Sequence, residues 1–263
     1  MATMNNETYG FAVKYRHMVK SLILDSGAWS VVNSKYQLTV DQYISYLKLF
    51  AGYFDLYFNL DIDFTKFGFA TNIDIQNKIE QAGFCPVPVI HSFTNGEIQH
   101  YIKTGLYRTL ALGSSQCSNF KEIRYGVSQI KWADLLMNIH WFGGAKFDWL
   151  INLPVRSSDV SSYAMTGAFG YINYWNPKKT GLNKTDRIYV GHRMKIDKKD
   201  KNNYVTYDWR TDLEQYLINT FGFKNPYQAL IGSCGYSNMQ LVNLRYLVEL
   251  EQQINDERQR RGV

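Results

Sequence analysis

Six side chains able to hold or move a proton stand in or at the ends of short strand-like runs. Asp25 ends "SLILD", Asp61 and Asp63 end "LYFNLDID", His91 ends "VPVIH", His140 lies in "NIHW", and Asp159 ends "VRSSD". Carboxylates and imidazoles are rarely buried without partners, so three aspartates, counting one of Asp61 and Asp63, and two histidines repeated at one end of successive strands point to a shared site. Paired carboxylates suit a retaining exchange at an acetal carbon, in which one attacks and another serves the leaving group. Trp29, Trp141 and Phe142 flank these residues and offer flat surfaces for a planar leaving group. Gly113, at the end of "TLALG", lets a backbone approach closely. Each residue also has a plainer reading. Asp25 and Asp159 could be turn or cap aspartates, His91 and His140 core histidines, and Trp29 rim packing. Asp61 and Asp63 alternate along a strand, so one of them faces the site; Asp61 is the candidate.

The elements that position these residues alternate in type. Strand-like "SLILDSG" (21–27) is followed by a helical pattern over 39–54, with Tyr43, Leu47 and Phe50 on one face and Thr39 as N-cap. Strands at 56–63, 87–93, 109–115 and 138–144 alternate with helices at 72–83, 96–105, 120–136 and 146–153. A sixth strand is expected near 155–164. Beyond 165 the pattern loosens into a strand at "RIYVGH" and helices at 211–222 and 237–261. Alternation of this kind implies parallel βαβ units. Five or six in succession predict an α/β fold, a single-domain TIM (β/α)8 barrel over 1–263, whose active sites lie at the carboxyl ends of the strands.

Composition narrows the class. The chain has 263 residues, 45% of them hydrophobic and 20% charged, enough for a sizeable core. No run approaches the roughly 18–20 apolar residues of a membrane helix, and "MATMNNETYGFAVKYRH" lacks the apolar core of a secretion signal. The expectation is therefore a cytoplasmic protein without membrane contact. Cys85, Cys117 and Cys234 are far apart and form no CxxC pair, so neither a zinc site nor a disulfide framework is expected. The net charge of +6 is concentrated in residues 176–203, where nine Lys/Arg stand against three acids. A neutral body with one basic segment suits a nucleic-acid backbone. Its candidate contacts are Lys178, Lys179, Arg187, Arg193, Lys195, Lys198 and Lys199, helped by the terminal "NDERQRRGV". A solvated loop is the plainer reading.

"LDSGAWS" (24–30) resembles the DSGGFQ/DSGGYQ signature of tRNA-guanine transglycosylases, and the later order "FNLDID", "VPVIHSF", "LALGSS", "IHWFG", "SSDVSSY" agrees with that family. The likeness covers roughly residues 21–171 and is greatest to the short, phage-type relatives that insert 7-deazaguanine bases into DNA, which would place the chain in a host cytoplasm. The resemblance implies Asp159 as nucleophile, Asp25 as general acid/base and Asp61 as reader of the base. It implies base contacts from His91, where the family has Gln, and from Gly113. Trp29 takes the place of the stacking aromatic, with His140 or Trp141 as the opposite wall. Ala28 replaces the second glycine of the signature, and the zinc subdomain of the tRNA enzymes is absent. The implied activity is a pentosyl transfer without cofactor or metal, exchanging guanine in DNA, alternatively tRNA, for a modified base. A non-catalytic nucleic-acid-binding barrel, a glycosyl-transferring enzyme of free nucleosides, and a homodimer all stay open.

Overall fold

The computed structural model describes residues 6–33, 38–65, 67–113, 119–191 and 202–262. Their chain divides into two compact units, one of residues up to Phe142 with Pro154–Ser158, the other of Gly143–Leu153 with the residues from Asp159 onward.

The first unit is α/β and parallel. Its strands are β1 (Ile23–Leu24), β2 (Leu56–Tyr57), β3 (Val89–Ile90), β4 (Thr109–Leu112), β5 (Asn138–Trp141) and β6 (Ser157–Ser158). β1 pairs with β2, and β3, β4, β5 and β6 pair in that order, every pair parallel. A parallel bridge between Phe58 and Val87 joins the two sets. The six strands thus follow chain order, as successive βα units require. α1 (Asn6–Tyr15) precedes β1, and the connecting helices are α2 (Ala28–Asn33), α3 (Val40–Phe50), α4 (Phe69–Gln81), α5 (Glu97–Thr104) and α6 (Phe120–Ala133).

Local chemistry sets these helices. Thr39 caps α3 through a capping box, its hydroxyl accepting the Gln42 N–H while Gln42 accepts the Thr39 N–H. Tyr43 and Leu47 then face the core as the spacing predicts, and the Tyr43 hydroxyl donates to the Phe58 carbonyl at 2.7 Å. One face of the sheet packs Leu24 and Leu60 against Leu47, Ile75 and Ile79 of α3 and α4. The other face gathers Ile23, Phe58, Val87, Val89 and Ala111.

The second unit reverses the pattern. It contains α7 (Phe147–Leu150), α8 (Ser162–Ala168), β7 (Tyr171–Trp175), β8 (Thr185–Tyr189), α9 (Arg210–Phe221), α10 (Pro226–Ile231) and α11 (Gly235–Arg261). β7 and β8 form an antiparallel hairpin whose Ile172, Tyr174 and Ile188 pack on Leu213, Leu217, Met239 and Val242 of the helices. β7 lies in a stretch without a sequence-predicted element, and its pairing with β8 is not the parallel pairing of a regular barrel. Among the described residues no strand pairing closes the sheets into a barrel. The expected long terminal helix is α11, and the expected helix at 211–222 is α9.

One buried carboxylate organises the hairpin. Asp186 Oδ2 accepts from the Tyr207 hydroxyl at 2.6 Å and from Asn176 Nδ2 at 2.9 Å, and its Oδ1 pairs with Lys179 Nζ at 2.9 Å. Burial pushes the Asp186 carboxyl up, but these hydrogen bonds and the Lys179 charge outweigh it and hold the group below the usual carboxylate range. A depressed folded value means that the stabilisation is present above the unfolded value of about 3.9 and is lost as pH falls through the lower folded one. We predict that Asp186→Asn lowers stability by about 1–3 kcal/mol at pH 7 and makes the loss on going to pH 3 smaller than in wild type, read by urea denaturation at both pH values.

Candidate functional site

β3 and β4 end together, and their register carries the next two residues, His91 and Gly113, into neighbouring positions. The register is held by the Gly113 N–H, which donates to the Ile90 carbonyl at 2.9 Å. β2 stops earlier. Beyond Phe58 its alternation lapses: Asn59 donates to the Asn72 carbonyl of α4, and Leu60 packs in the same helix-facing core. Asp61 then turns to His91, and Asp61 Oδ2 and His91 Nε2 are hydrogen-bonded. Both residues are buried, at 5% and 3% exposure. Asp63 is half-buried; its carboxylate accepts the Thr65 N–H at 2.9 Å, and the hydrogen bonds from Thr65 hold it below its ordinary range.

The electrostatics of Asp61 follow from that burial. Desolvation raises its carboxyl above the usual range, the bond and charge of His91 pull it down, and the charge of Asp25 adds a small upward push. Asp25 itself is exposed, with Oδ1 accepting the Gly27 N–H at 3.0 Å in the turn that leads into α2. The turn reading of Asp25 and its place beside the site are therefore compatible.

Gly113 is fitted to the imidazole. A Cβ there would lie 2.6 Å from His91 Nδ1 and 2.8 Å from Cε1, closer than side chains pack. On its other side His91 meets the Phe64 ring at 5.3 Å between centroids, and Phe64 stacks on Trp29 at 5.7 Å and 28°. Trp29 is 62% exposed, so the row runs from a buried imidazole to an aromatic face at the surface. Phe64 carried no signal of its own in the sequence beyond its place after "LDID".

The remaining candidates have partners of their own. His140 is buried, hydrogen-bonded through Nδ1 to Ser157 Oγ at 2.9 Å, with its ring against Phe58 and Phe142 at 4.8 and 4.7 Å. It belongs to the layer of Phe58 and Ala111, with which it is in register, and its surroundings are those of a core histidine. Trp141, the next residue along β5, is buried and points to the opposite face. Strand alternation sends the His140 and Trp141 side chains to different faces, so at most one of the two could form the wall opposite Trp29. Asp159 follows β6 and falls in the second unit, where Oδ1 accepts the Gly143 N–H at 2.9 Å.

Among the basic candidates, Arg193, Lys195, Lys198 and Lys199 lie outside the described residues. The Lys179 ammonium is held by Asp186 Oδ1 at 2.9 Å and by the Thr185 carbonyl at 2.7 Å, contacts within the fold. Lys178 is exposed and 3.8 Å from Asp212. Arg187 is exposed with its guanidinium 4.1 Å over the Tyr171 ring. In the terminal helix, Arg260 and Arg261 both pair with Glu257. Among the described residues no group of three or more His, Cys, Asp and Glu could hold a metal ion, and no helix is long and apolar enough to cross a membrane.

No protein-family model matches the chain, and no curated protein matches it.

Gly113→Ala should push the imidazole from its place and destabilise the first unit by about 1–3 kcal/mol. The same substitution in a His91→Ala background should cost much less, because the clashing ring is gone. Denaturant unfolding of the four proteins of this cycle checks both expectations.

Proposed function

We propose that the chain is a base-exchanging guanine transglycosylase acting on nucleic acid, with DNA as the favoured polymer. The observation that carries the reading is the buried Asp61–His91 pair, ordered by Gly113 and continued to the surface by Phe64 and Trp29. A carboxylate in that setting suits a planar base edge with N–H donors, and the aromatic row suits the faces of a flat ring. The parallel, chain-ordered β1–β6 supports the barrel architecture that would set such a site at strand ends.

In this proposal Asp159 attacks C1′ of the target nucleotide. The C1′–N bond breaks, its electron pair goes to the base, and Asp25 delivers a proton to the departing guanine. The incoming base then loses a proton to Asp25 and displaces the Asp159 carboxylate from C1′, which restores both groups and retains configuration. Asp61 reads the base and Trp29 stacks on it. Arg187 and the other basic residues of the segment 176–203 hold the backbone while the target base leaves the stack.

The test is incorporation of radiolabelled guanine, offered with guanine-containing DNA and separately with tRNA. Wild type should label DNA, and Asp159→Asn should lower the rate by roughly a thousandfold or more. Label in tRNA alone would correct the polymer. Label in neither with the wild-type chain would overturn the enzyme reading.

A further inference from the structure

Glu97 has no part in the exchange proposed above, yet it is one of the most deeply buried charged residues described, at 2% exposure in the first turn of α5. Its Oε2 accepts the His91 N–H at 2.6 Å and the Ser92 N–H at 3.3 Å, and its Oε1 accepts from Asn95 Nδ2 at 2.7 Å. Asn95 Oδ1 in turn accepts the Glu97 N–H at 3.2 Å. Gly96, at φ 93°, supplies the left-handed residue that turns the chain back so that a side chain of α5 can reach the end of β3.

β3 ends at Ile90, and the His91 N–H is bonded to Glu97 instead of to a neighbouring strand. The backbone that aims the imidazole at Asp61 is thus anchored by one carboxylate. Hydrogen bonds to an ionised acceptor are shorter and stronger than neutral ones, which suits Glu97 to this task. A plain helix-capping carboxylate would favour the first turn of its own helix, whereas Glu97 is turned to the two residues that follow the strand.

We propose that Glu97 is a positioning residue for the Asp61–His91 pair, acting through the His91 backbone and touching no substrate. Its bearing on base recognition rests on the transglycosylase reading; the positioning itself does not.

The test uses the full chain and a signature that needs no activity, the downfield imidazole N–H resonance of His91 in nitrogen-edited NMR. His91→Gln assigns the signal by removing it. A ring held on a buried carboxylate should show this N–H protected from exchange in wild type, and Asp61→Asn should abolish the protection. Glu97→Asp keeps the charge but shortens the reach, so it should lose the signal while circular dichroism reports an intact fold. Asn95→Ala, at an exposed position, should weaken the protection partway and serves if Glu97→Asp does not fold. A protected signal persisting in folded Glu97→Asp, or unchanged in Asn95→Ala when that variant has to stand in, overturns the proposal. Absence of guanine exchange in wild type would overturn the enzyme reading while leaving this result interpretable. Where wild type exchanges, Glu97→Asp should raise KM for the base more than it lowers kcat.

Discussion

Burial of the Asp61 carboxylate is the constraint to which the neighbouring parts of the first unit answer. A lone charged carboxylate in the interior is costly, and it is tolerated when paired and hydrogen-bonded. His91 supplies the pair, so the imidazole must be held at one place and angle. Gly113 leaves out the side chain that would collide with it, Phe64 covers one flank, and Glu97 holds the backbone from which it projects. Each partner is set by a different element, and the site is only as ordered as the register that brings β3 and β4 to a common end.

Short strands create a second requirement that recurs along the chain. Parallel ladders of two to four residues end early and leave N–H groups that need acceptors. Acidic side chains in the segments that follow meet that need: Asp25 for Gly27, Asp63 for Thr65, Glu97 of the first turn of α5 for His91 and Ser92 and, in the second unit, Asp159 for Gly143. A carboxylate that satisfies a loop amide is also fixed in place, so the turn reading and the chemical reading of such residues do not compete. Burial separates them in role: Asp61 and Glu97 are enclosed, while Asp25 stays open to solvent.

The second unit solves a comparable problem differently. Its hairpin buries Asp186 against Lys179, Tyr207 and Asn176, and burial together with the Asp186 charge drives the Tyr207 hydroxyl well above its ordinary range. The basic character seen in residues 176–203 is therefore divided in use. Lys179 serves the fold, while Arg187 rests on an aromatic ring with its charge exposed.

Much of this was legible in one dimension. The capping box at Thr39, the helical spacing of Tyr43 and Leu47, and apolar runs ending on Asp25, Asp61, His91 and Gly113 are local signals, carried by side-chain period and backbone chemistry. They determined the parallel α/β character of the first 158 residues and the set of polar groups at the strand ends. The fold decided the rest, because the missing information was pairing. Alternation could not choose between Asp61 and Asp63, since the departure from alternation at Asn59 and Leu60 comes from packing against α4. Nor could it show that His140 packs against Phe58 and Phe142, that β7 runs antiparallel to β8, or that Lys179 meets Asp186 seven residues on. Glu97 read as an ordinary first-turn acid. Only a chain turned back at Gly96 shows that its carboxylate holds the histidine that Asp61 needs.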